Sequence, residues 1–161
     1  MIQFKSFRGE VMGIQDISTG EYGEGCVKMI ALQNEEGAQV NFILSPATYV
    51  VNQEMIKTGD IVTGYYDGNA PTIMIYPPQY QALVMVKEYA HQHGMASYFD
   101  SELISQDHQL KLNIHPSTQI TTTNGQAYTG SIANRNLVVI YGPSTKSIPA
   151  QTTPYQVIVL C

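Results

Sequence analysis

Short runs of alternating apolar and polar residues follow one another along the chain, and turn-forming residues separate them. In residues 38–44, for example, Val40, Phe42 and Leu44 face one way while Gln39 and Asn41 face the other. No window has the period of a long amphipathic helix. The pattern therefore predicts an all-β protein, whose first five strands are residues 7–17, 26–32, 38–44, 61–66 and 81–87.

The second half of the chain continues the same pattern. Strands are predicted at residues 95–104, 109–114, 119–123, 137–141 and 156–160. Residues 18–25 form a glycine-rich loop, and residues 34–37 and the pair Asn124-Gly125 form hairpin turns. The proline-rich connection at residues 70–79 should cross the outside of a sheet, because proline has no N–H to donate.

Fragments of the first half recur in the second half in the same order. Tyr66 aligns with Tyr141 and Tyr80 with Tyr155, since 141 − 66 equals 155 − 80. Residues 40–48 parallel residues 110–118 around a shared proline. We interpret this as an internal duplication giving two tandem units, residues 1–90 and residues 91–161. Each is expected to be a small barrel of the OB type or a related sandwich, and the second is shorter, lacking one strand.

The composition narrows the choice of partner. Charged residues make up 13% of the chain, against about 25% in typical soluble domains, and the net charge is −5. The eight Lys and Arg residues form no cluster. This disfavours nucleic acid, whose phosphates need basic side chains, and it disfavours a basic membrane contact. No apolar run is long enough to insert into a membrane.

The amino-terminal residues 1–5 show no signal peptide, which favours a cytoplasmic location. A location at the cell surface is the alternative, because a polar, weakly charged composition would also suit a surface-associated protein. Cys26 and Cys161 lack the spacing of a zinc or redox motif. They are read as two free thiols or, in an oxidising compartment, as candidates for an intermolecular or interdomain disulfide.

Catalytic and metal chemistry find little support in the sequence. The candidate metal ligands are the HxH pair His91 and His93 with His108 or His115. The candidate acid–base carboxylates are Asp100, Glu102 and Asp107, and the candidate nucleophiles are Ser45 and Ser117. The histidines belong to an exposed junction, and the serines lack a nucleophile elbow. Nothing beside Cys26 would lower its pKa. Gly20, Gly23 and Gly25 precede no phosphate-binding helix. We predict no enzyme, no cofactor and no metal.

Tyrosine is the most informative side chain, with 11 residues against four phenylalanines and no tryptophan. A tyrosine can bury its ring and keep its hydroxyl for a partner, which suits binding surfaces. The alternative is that the rings only pack the proline-rich loops onto the barrels. The binding candidates lie in the two duplicated blocks: Tyr65, Tyr66, Tyr76, Tyr80, Tyr141 and Tyr155.

The strings YYDGNAPTIMIYPPQYQALVM and NRNLVVIYGPSTKSIPAQTTPYQVIVL resemble segments of uncharacterised, duplicated small proteins of Gram-positive anaerobic bacteria. Secreted relatives carry a similar tyrosine–proline–threonine pattern with SIPPQ near their carboxyl termini. The resemblance covers the second half of each unit. It implies an all-β, OB-like module without an established activity, and it transfers no catalytic residue.

Two functions follow from these observations. The first is a non-catalytic protein interaction or self-assembly module, which would associate with its own copies as a homo-oligomer or with another protein. The second is a small-ligand or glycan-binding domain that uses the tyrosines near the proline-rich loops. Assembly predicts a size that depends on concentration, whereas ligand binding predicts a concave pocket where several tyrosines converge.

Overall fold

The computed structural model describes residues 1–19 and 21–161, and it is all-β. The chain divides into two compact units, Met1–Glu88 and Tyr89–Cys161. No helix among the described residues has the length and apolar character that crossing a membrane would need. The prediction of an all-β protein is confirmed.

The first unit contains one sheet in the order β4-β7-β5-β1-β2-β3-β6. Its strands are β1 (Phe4–Thr19), β2 (Gly23–Gln33), β3 (Gln39–Leu44), β4 (Tyr49–Val50), β5 (Ile61–Asp67), β6 (Gln79–Gln81) and β7 (Val84–Lys87), with a 3-10 turn at Val51–Gln53. The long β1 pairs with β2 on one side and with β5 on the other, both antiparallel. A register shift between Val11 and Gly13 marks a bulge in β1.

The strand pairings of the first unit form a closed circuit, in which β7, β5, β1, β2, β3 and β6 pair in turn and β6 leads directly back to β7 along the chain. The strand β6 pairs in parallel with β3, and β7 pairs antiparallel with β5. Only Ala82 and Leu83 separate β6 from β7 along the chain. The Ala82 N–H donates to the carbonyl of Ile43 at 3.0 Å, and the Leu83 N–H donates to the carbonyl of Tyr65 at 2.8 Å. Two successive residues thus join β3 to β5.

The second unit repeats this connectivity with fewer strands. Its strands are β8 (His93–Phe99), β9 (Leu110–Leu112), β10 (Gln119–Thr122), β11 (Arg135–Tyr141), β12 (Ala150–Thr152) and β13 (Gln156–Val159). The order β10-β13-β11-β8 matches β4-β7-β5-β1, and the parallel pair β9 with β12 matches β3 with β6. Where the first unit has β2, the second has isolated bridges from Phe99 to Ser105 and from Ile104 to Lys111.

Several sequence predictions are corrected by these bounds. The predicted strand at residues 95–104 ends at Phe99, because Asp100 closes a turn by accepting hydrogen bonds from the N–H groups of Glu102 and Ile104. The loop predicted at residues 18–25 is shorter, since β1 reaches Thr19 and β2 starts at Gly23, and Gly20 lies outside the described residues.

The predicted alignment of Tyr80 with Tyr155 does not match the backbone register. Leu83 donates its N–H to β5, and Tyr155 donates its N–H to Ile140 of β11, so Tyr155 occupies the place of Leu83. Tyr80 lies beside Phe42 of β3. Tyr66 and Tyr141 each follow the accepting residue of β5 or β11, in keeping with their alignment.

Each unit has its own apolar core. In the first unit the core contains Phe42, Ile30, Leu32, Val62 and Met85, each almost fully buried. In the second it contains Phe99, Leu110, Leu137, Val139 and Val157. These residues come from alternate positions of neighbouring strands. The residues between them, such as Val138 and Ile158, are fully buried as well, so alternation alone did not predict the whole buried set.

A threonine closes each circuit in the same way. The Thr48 hydroxyl donates to the carbonyl of Ala82 at 2.8 Å and accepts a hydrogen bond from the N–H of Ser45 at 3.1 Å. The Thr118 hydroxyl donates to the carbonyl of Pro154 at 2.8 Å and accepts from the N–H of His115 at 3.3 Å. In both units the proline-containing element therefore supplies a side-chain hydrogen bond to the segment that changes partner strand.

Replacing Thr48 with valine should destabilise the first unit. Valine keeps the shape but leaves the Ala82 carbonyl and the Ser45 N–H without this partner, at a cost of about 1–3 kcal/mol. Urea unfolding followed by circular dichroism measures the change. The exposed Thr58→Val is the matched control and should change stability by less than about 0.5 kcal/mol. Equal stability of the two variants would contradict this role of Thr48.

Replacing Gly64 with alanine should also destabilise the first unit. The added Cβ would lie 2.6 Å from ring carbons of Phe42, which is fully buried and cannot move aside cheaply. We expect a loss of about 1–3 kcal/mol in urea unfolding. Gly13→Ala is the control, because nothing lies within 4 Å of a Cβ added there. A loss no larger than that of Gly13→Ala would show that Phe42 has room to shift.

Candidate functional site

Tyr66 and Tyr80 form a stacked aromatic pair in the first unit. Their ring centroids are 3.8 Å apart and the ring planes differ by 8°. The sheet register brings them together, because Tyr80 pairs with Phe42 on β3, and Tyr66 lies two residues after Gly64, which leaves space for the Phe42 ring. The Phe42 ring lies 6.0 Å from Tyr66 and 6.1 Å from Tyr80 and is tilted to both. It supports the pair from the core side.

A cavity of about 390 Å³ opens beside the stacked pair. The end of β5, the start of the proline-rich loop and β6 line it, through Tyr66, Asp67, Ala70, Pro71, Thr72, Ile73, Gln79, Tyr80, Gln81 and Leu83. Its volume is in the range of small-molecule sites, and its lining is mainly apolar with a few polar groups. No lysine, arginine or histidine is part of this described lining.

The environment of the pair keeps the Tyr66 hydroxyl protonated. Burial is the main cause, and a hydrogen bond and electrostatic coupling with the Tyr80 side chain add to it, which together raise the pKa of Tyr66 to about 12. All three contributions disfavour the ionised phenolate form of Tyr66. Tyr66 is therefore a neutral hydrogen-bonding group in the site, and it is not poised to act as a base near neutral pH.

Asp67 places a carboxylate at the edge of the cavity. Its Oδ1 accepts hydrogen bonds from the N–H groups of Asn69 at 2.9 Å and Gln3 at 3.1 Å. The first of these bonds, and then the second, lower the pKa of Asp67, so the group stays ionised at neutral pH. These bonds orient the carboxyl group and engage the same oxygen.

The proline-rich loop carries an exposed apolar tip, which we define as residues 73–76. Met74 is fully exposed, Tyr76 is 74% exposed and Ile73 is 63% exposed, while Ile75 is about half exposed. The loop returns to the sheet at Pro78, whose carbonyl accepts the N–H of Asn41 at 2.8 Å. Proline lacks a donor but can still accept, which is how a proline-bearing segment can begin the parallel pairing of β6 with β3.

The remaining predicted tyrosines lie elsewhere. Tyr65 precedes Tyr66 on β5 and so faces the other side of the strand, and Tyr76 belongs to the exposed tip. In the second unit, Tyr141 packs its ring 5.5 Å from that of His93. Tyr155 is 53% exposed, and its hydroxyl lies against Gly142. Of the six candidates, the structure brings only Tyr66 and Tyr80 together at the cavity.

The corresponding place in the second unit has different side chains and contacts. There Gly142 stands where the first unit has Asp67, and a Cβ added at Gly142 would clash with the Tyr155 hydroxyl. Thr152 replaces Tyr80, and its hydroxyl donates to the carbonyl of Pro143 at 2.8 Å. The following loop is tied to β12, since the Thr145 N–H donates to the Gln151 carbonyl at 2.9 Å.

The cysteine and histidine candidates do not form a site. Cys26 and Cys161 are both free and exposed. Within residues 1–19 and 21–161, no three His, Cys, Asp or Glu side chains are arranged to hold a metal ion. His115, which was considered as a ligand, instead accepts the Ser117 N–H at its Nδ1 and so closes the turn of the proline element.

Sequence analysis missed Asp67, Gln79 and Gln81 as residues of the site. Asp67 could have been found from its place in Asp67-Gly68-Asn69, because an aspartate two residues before another turn former commonly accepts that residue's N–H. The two glutamines carry no comparable signal, since they line the cavity only because β6 pairs with β3.

Neither the protein-family models nor the curated protein sequences contain a match to this chain. Its residues and geometry alone carry the functional argument.

Alkaline pH should destabilise the first unit through Tyr66. Because its pKa is raised in the folded state from about 10, Tyr66 favours folding fully below pH 10, and this contribution is lost as the pH rises towards 12. Urea unfolding between pH 8 and about 12 should show a loss that is smaller in Tyr66→Phe, which cannot ionise. Tyr155→Phe controls for removing one phenol. A profile of Tyr66→Phe identical to the parent protein would refute the assignment.

Proposed function

We propose that this protein is a non-catalytic interaction module that associates with a second copy of itself through the apolar tip, residues 73–76. The observation that carries the proposal is the fully exposed Met74 between the exposed Ile73 and Ile75. Large contiguous apolar patches on soluble proteins usually mark contact surfaces. The loop from residue 68 to residue 79 contains no charged side chain that would have to lose its hydration on contact.

Burial of the side chains of the apolar tip would contribute substantially to the free energy of association. Burying one large apolar side chain contributes about 1.5–3 kcal/mol. Two tips in a symmetric dimer would contribute several such side chains, against the cost of lost rotational and translational freedom. The loop is held at its base by the Ala70 N–H bonded to the Asp67 carbonyl and by Pro78 bonded to β3, which limits the ordering that association would require.

We also propose that the module does not act as an enzyme. The two carboxylates with lowered pKa values, Asp60 and Asp67, are stabilised by backbone N–H groups of the turns that they close, with Lys57 the first contributor at Asp60. Asp60 further pairs with Lys87 at 3.1 Å. Such contacts are typical of structural carboxylates, whereas catalytic groups usually converge in one cleft.

For the origin of the fold, we propose two tandem OB-like units that arose by duplication. The support is the agreement of strand order, of the parallel pairs β3–β6 and β9–β12, and of the threonine hydrogen bonds of Thr48 and Thr118. Kinship with the small all-β proteins of Gram-positive anaerobic bacteria is part of this proposal.

Size-exclusion chromatography with light scattering, in reductant and over a range of concentrations, tests self-association. We expect a mass above the 17.8 kDa of the monomer that rises with concentration. Met74→Glu should shift the protein to monomer, because it places a charge at the centre of the tip. Met55→Glu is the matched control, since Met55 is 73% exposed but lies outside the tip.

A monomer at every concentration would exclude self-association, and equal effects of the two substitutions would exclude the tip as the contact. A mass that falls only on adding reductant would instead assign the association to Cys26 or Cys161, both of which are exposed.

A further inference from the structure

The geometry points to a binding site for a neutral saccharide in the cavity beside the Tyr66–Tyr80 pair, which shares Ile73 with the apolar tip but does not include Met74, Ile75 or Tyr76. Three features of the lining identify this class of ligand: a flat aromatic surface, polar side chains spread among apolar ones, and the absence of a cation from the described lining. A sugar ring combines an apolar C–H face with hydroxyl groups around its rim, so it matches such a surface on both counts.

The aromatic surface is preorganised. Stacking on each other and on Phe42 holds the rings of Tyr66 and Tyr80 in place without a ligand. A ligand that packs on them therefore does not have to immobilise them, which lowers the entropic cost of binding. The inner faces of the two rings cover each other, so the pair presents a flat surface and not the enclosing cage that quaternary ammonium groups require.

The polar groups favour a ligand that both donates and accepts hydrogen bonds. Asp67 is ionised, and its Oδ1 is engaged by the N–H groups of Gln3 and Asn69, which leaves Oδ2 to accept from a ligand hydroxyl. The amides of Gln79 and Gln81 can donate and accept, as hydroxyl groups also do. A cluster of mixed donors and acceptors of this kind suits a polyol.

The charge of the site disfavours anions. Asp67 carries a negative charge at the cavity, and the positive groups near it are the amino terminus and Lys5, neither of which lines the cavity. Lys5 lies opposite Tyr66 on β1, and its stem covers Gly68. A phosphorylated or carboxylated ligand would meet the like charge of Asp67 and no cation within the described lining.

The test is a titration of the full-length, ¹⁵N-labelled protein with three neutral probes, chitotriose in its N-acetylated form, cellotriose and maltotriose, each to roughly 10 mM. Glucose 6-phosphate and tetramethylammonium are the charged comparisons. We expect at least one neutral trisaccharide to give saturable shifts at the end of β5, in residues 70–73 and in β6. Neither charged probe should bind there more tightly.

Three variants connect the shifts to the proposed contacts. Tyr80→Ala should weaken binding about tenfold or more, because it removes one ring of the stacked pair and the contact that holds Tyr66 in place. Tyr80→Phe keeps the ring and should bind within a few fold of the parent protein, which separates loss of stacking from loss of folding. Asp67→Asn keeps the Oδ1 acceptor for both backbone N–H groups and removes the charge, so it should weaken the saccharide and reduce discrimination against glucose 6-phosphate.

Tyr155→Ala, in the second unit, is the matched control and should leave the affinity unchanged. The inference is overturned if none of the three neutral probes binds, if a charged probe binds this cavity more tightly, or if Tyr80→Ala binds like the parent protein. Met74→Glu should leave saccharide binding intact, so the outcome is independent of self-association.

Discussion

The carbonyl oxygen of Ala82 accepts the hydroxyl of Thr48 at the point where the chain passes from one partner strand to another. On one side of this point the Ala82 N–H is bonded to β3, and on the other the Leu83 N–H is bonded to β5. Neither strand can supply a donor to this carbonyl while the pairing changes, so a side chain does. A buried carbonyl without a partner would cost free energy comparable to a lost hydrogen bond.

The candidate site follows from this closure. Because β6 has to run parallel to β3 before β7 joins β5, Tyr80 comes to lie over Phe42, and the end of β5 brings Tyr66 against it. The chain between β5 and β6 then has to leave the sheet and return to it. The proline-rich loop forms this connection, and it both lines the cavity and carries the apolar tip. The uncharged loop lines the cavity through residues 70–73 and exposes Met74 near its middle.

Comparison of the two units separates what the backbone requires from what the side chains add. Thr118 and Pro154 repeat the closing hydrogen bond, so the closing contact of the fold is common to both units. Gly142, Thr152 and Tyr155 differ from their counterparts: the Tyr155 hydroxyl packs against Gly142, and the Thr152 hydroxyl donates to the carbonyl of Pro143. A binding site in this architecture therefore depends on a few side chains at the exit of β5 and along β6, and pairing alone does not create it.

By itself, the sequence predicted most of the strands and part of the buried set, because the alternation of apolar and polar residues is a local property. The predicted strand at residues 61–66 agrees with β5 to within one residue, and Phe42 was assigned to the correct face. The shared proline element also marked where both units close. The three-residue strands β6 and β12 left no usable signal, since three residues are too few to establish a periodic pattern and each pairs in parallel with a distant strand. Only the tertiary structure decided that Tyr80 stacks on Tyr66 while Tyr155 lies over Gly142, because the choice depends on which strands become neighbours and on one glycine that leaves room for a ring.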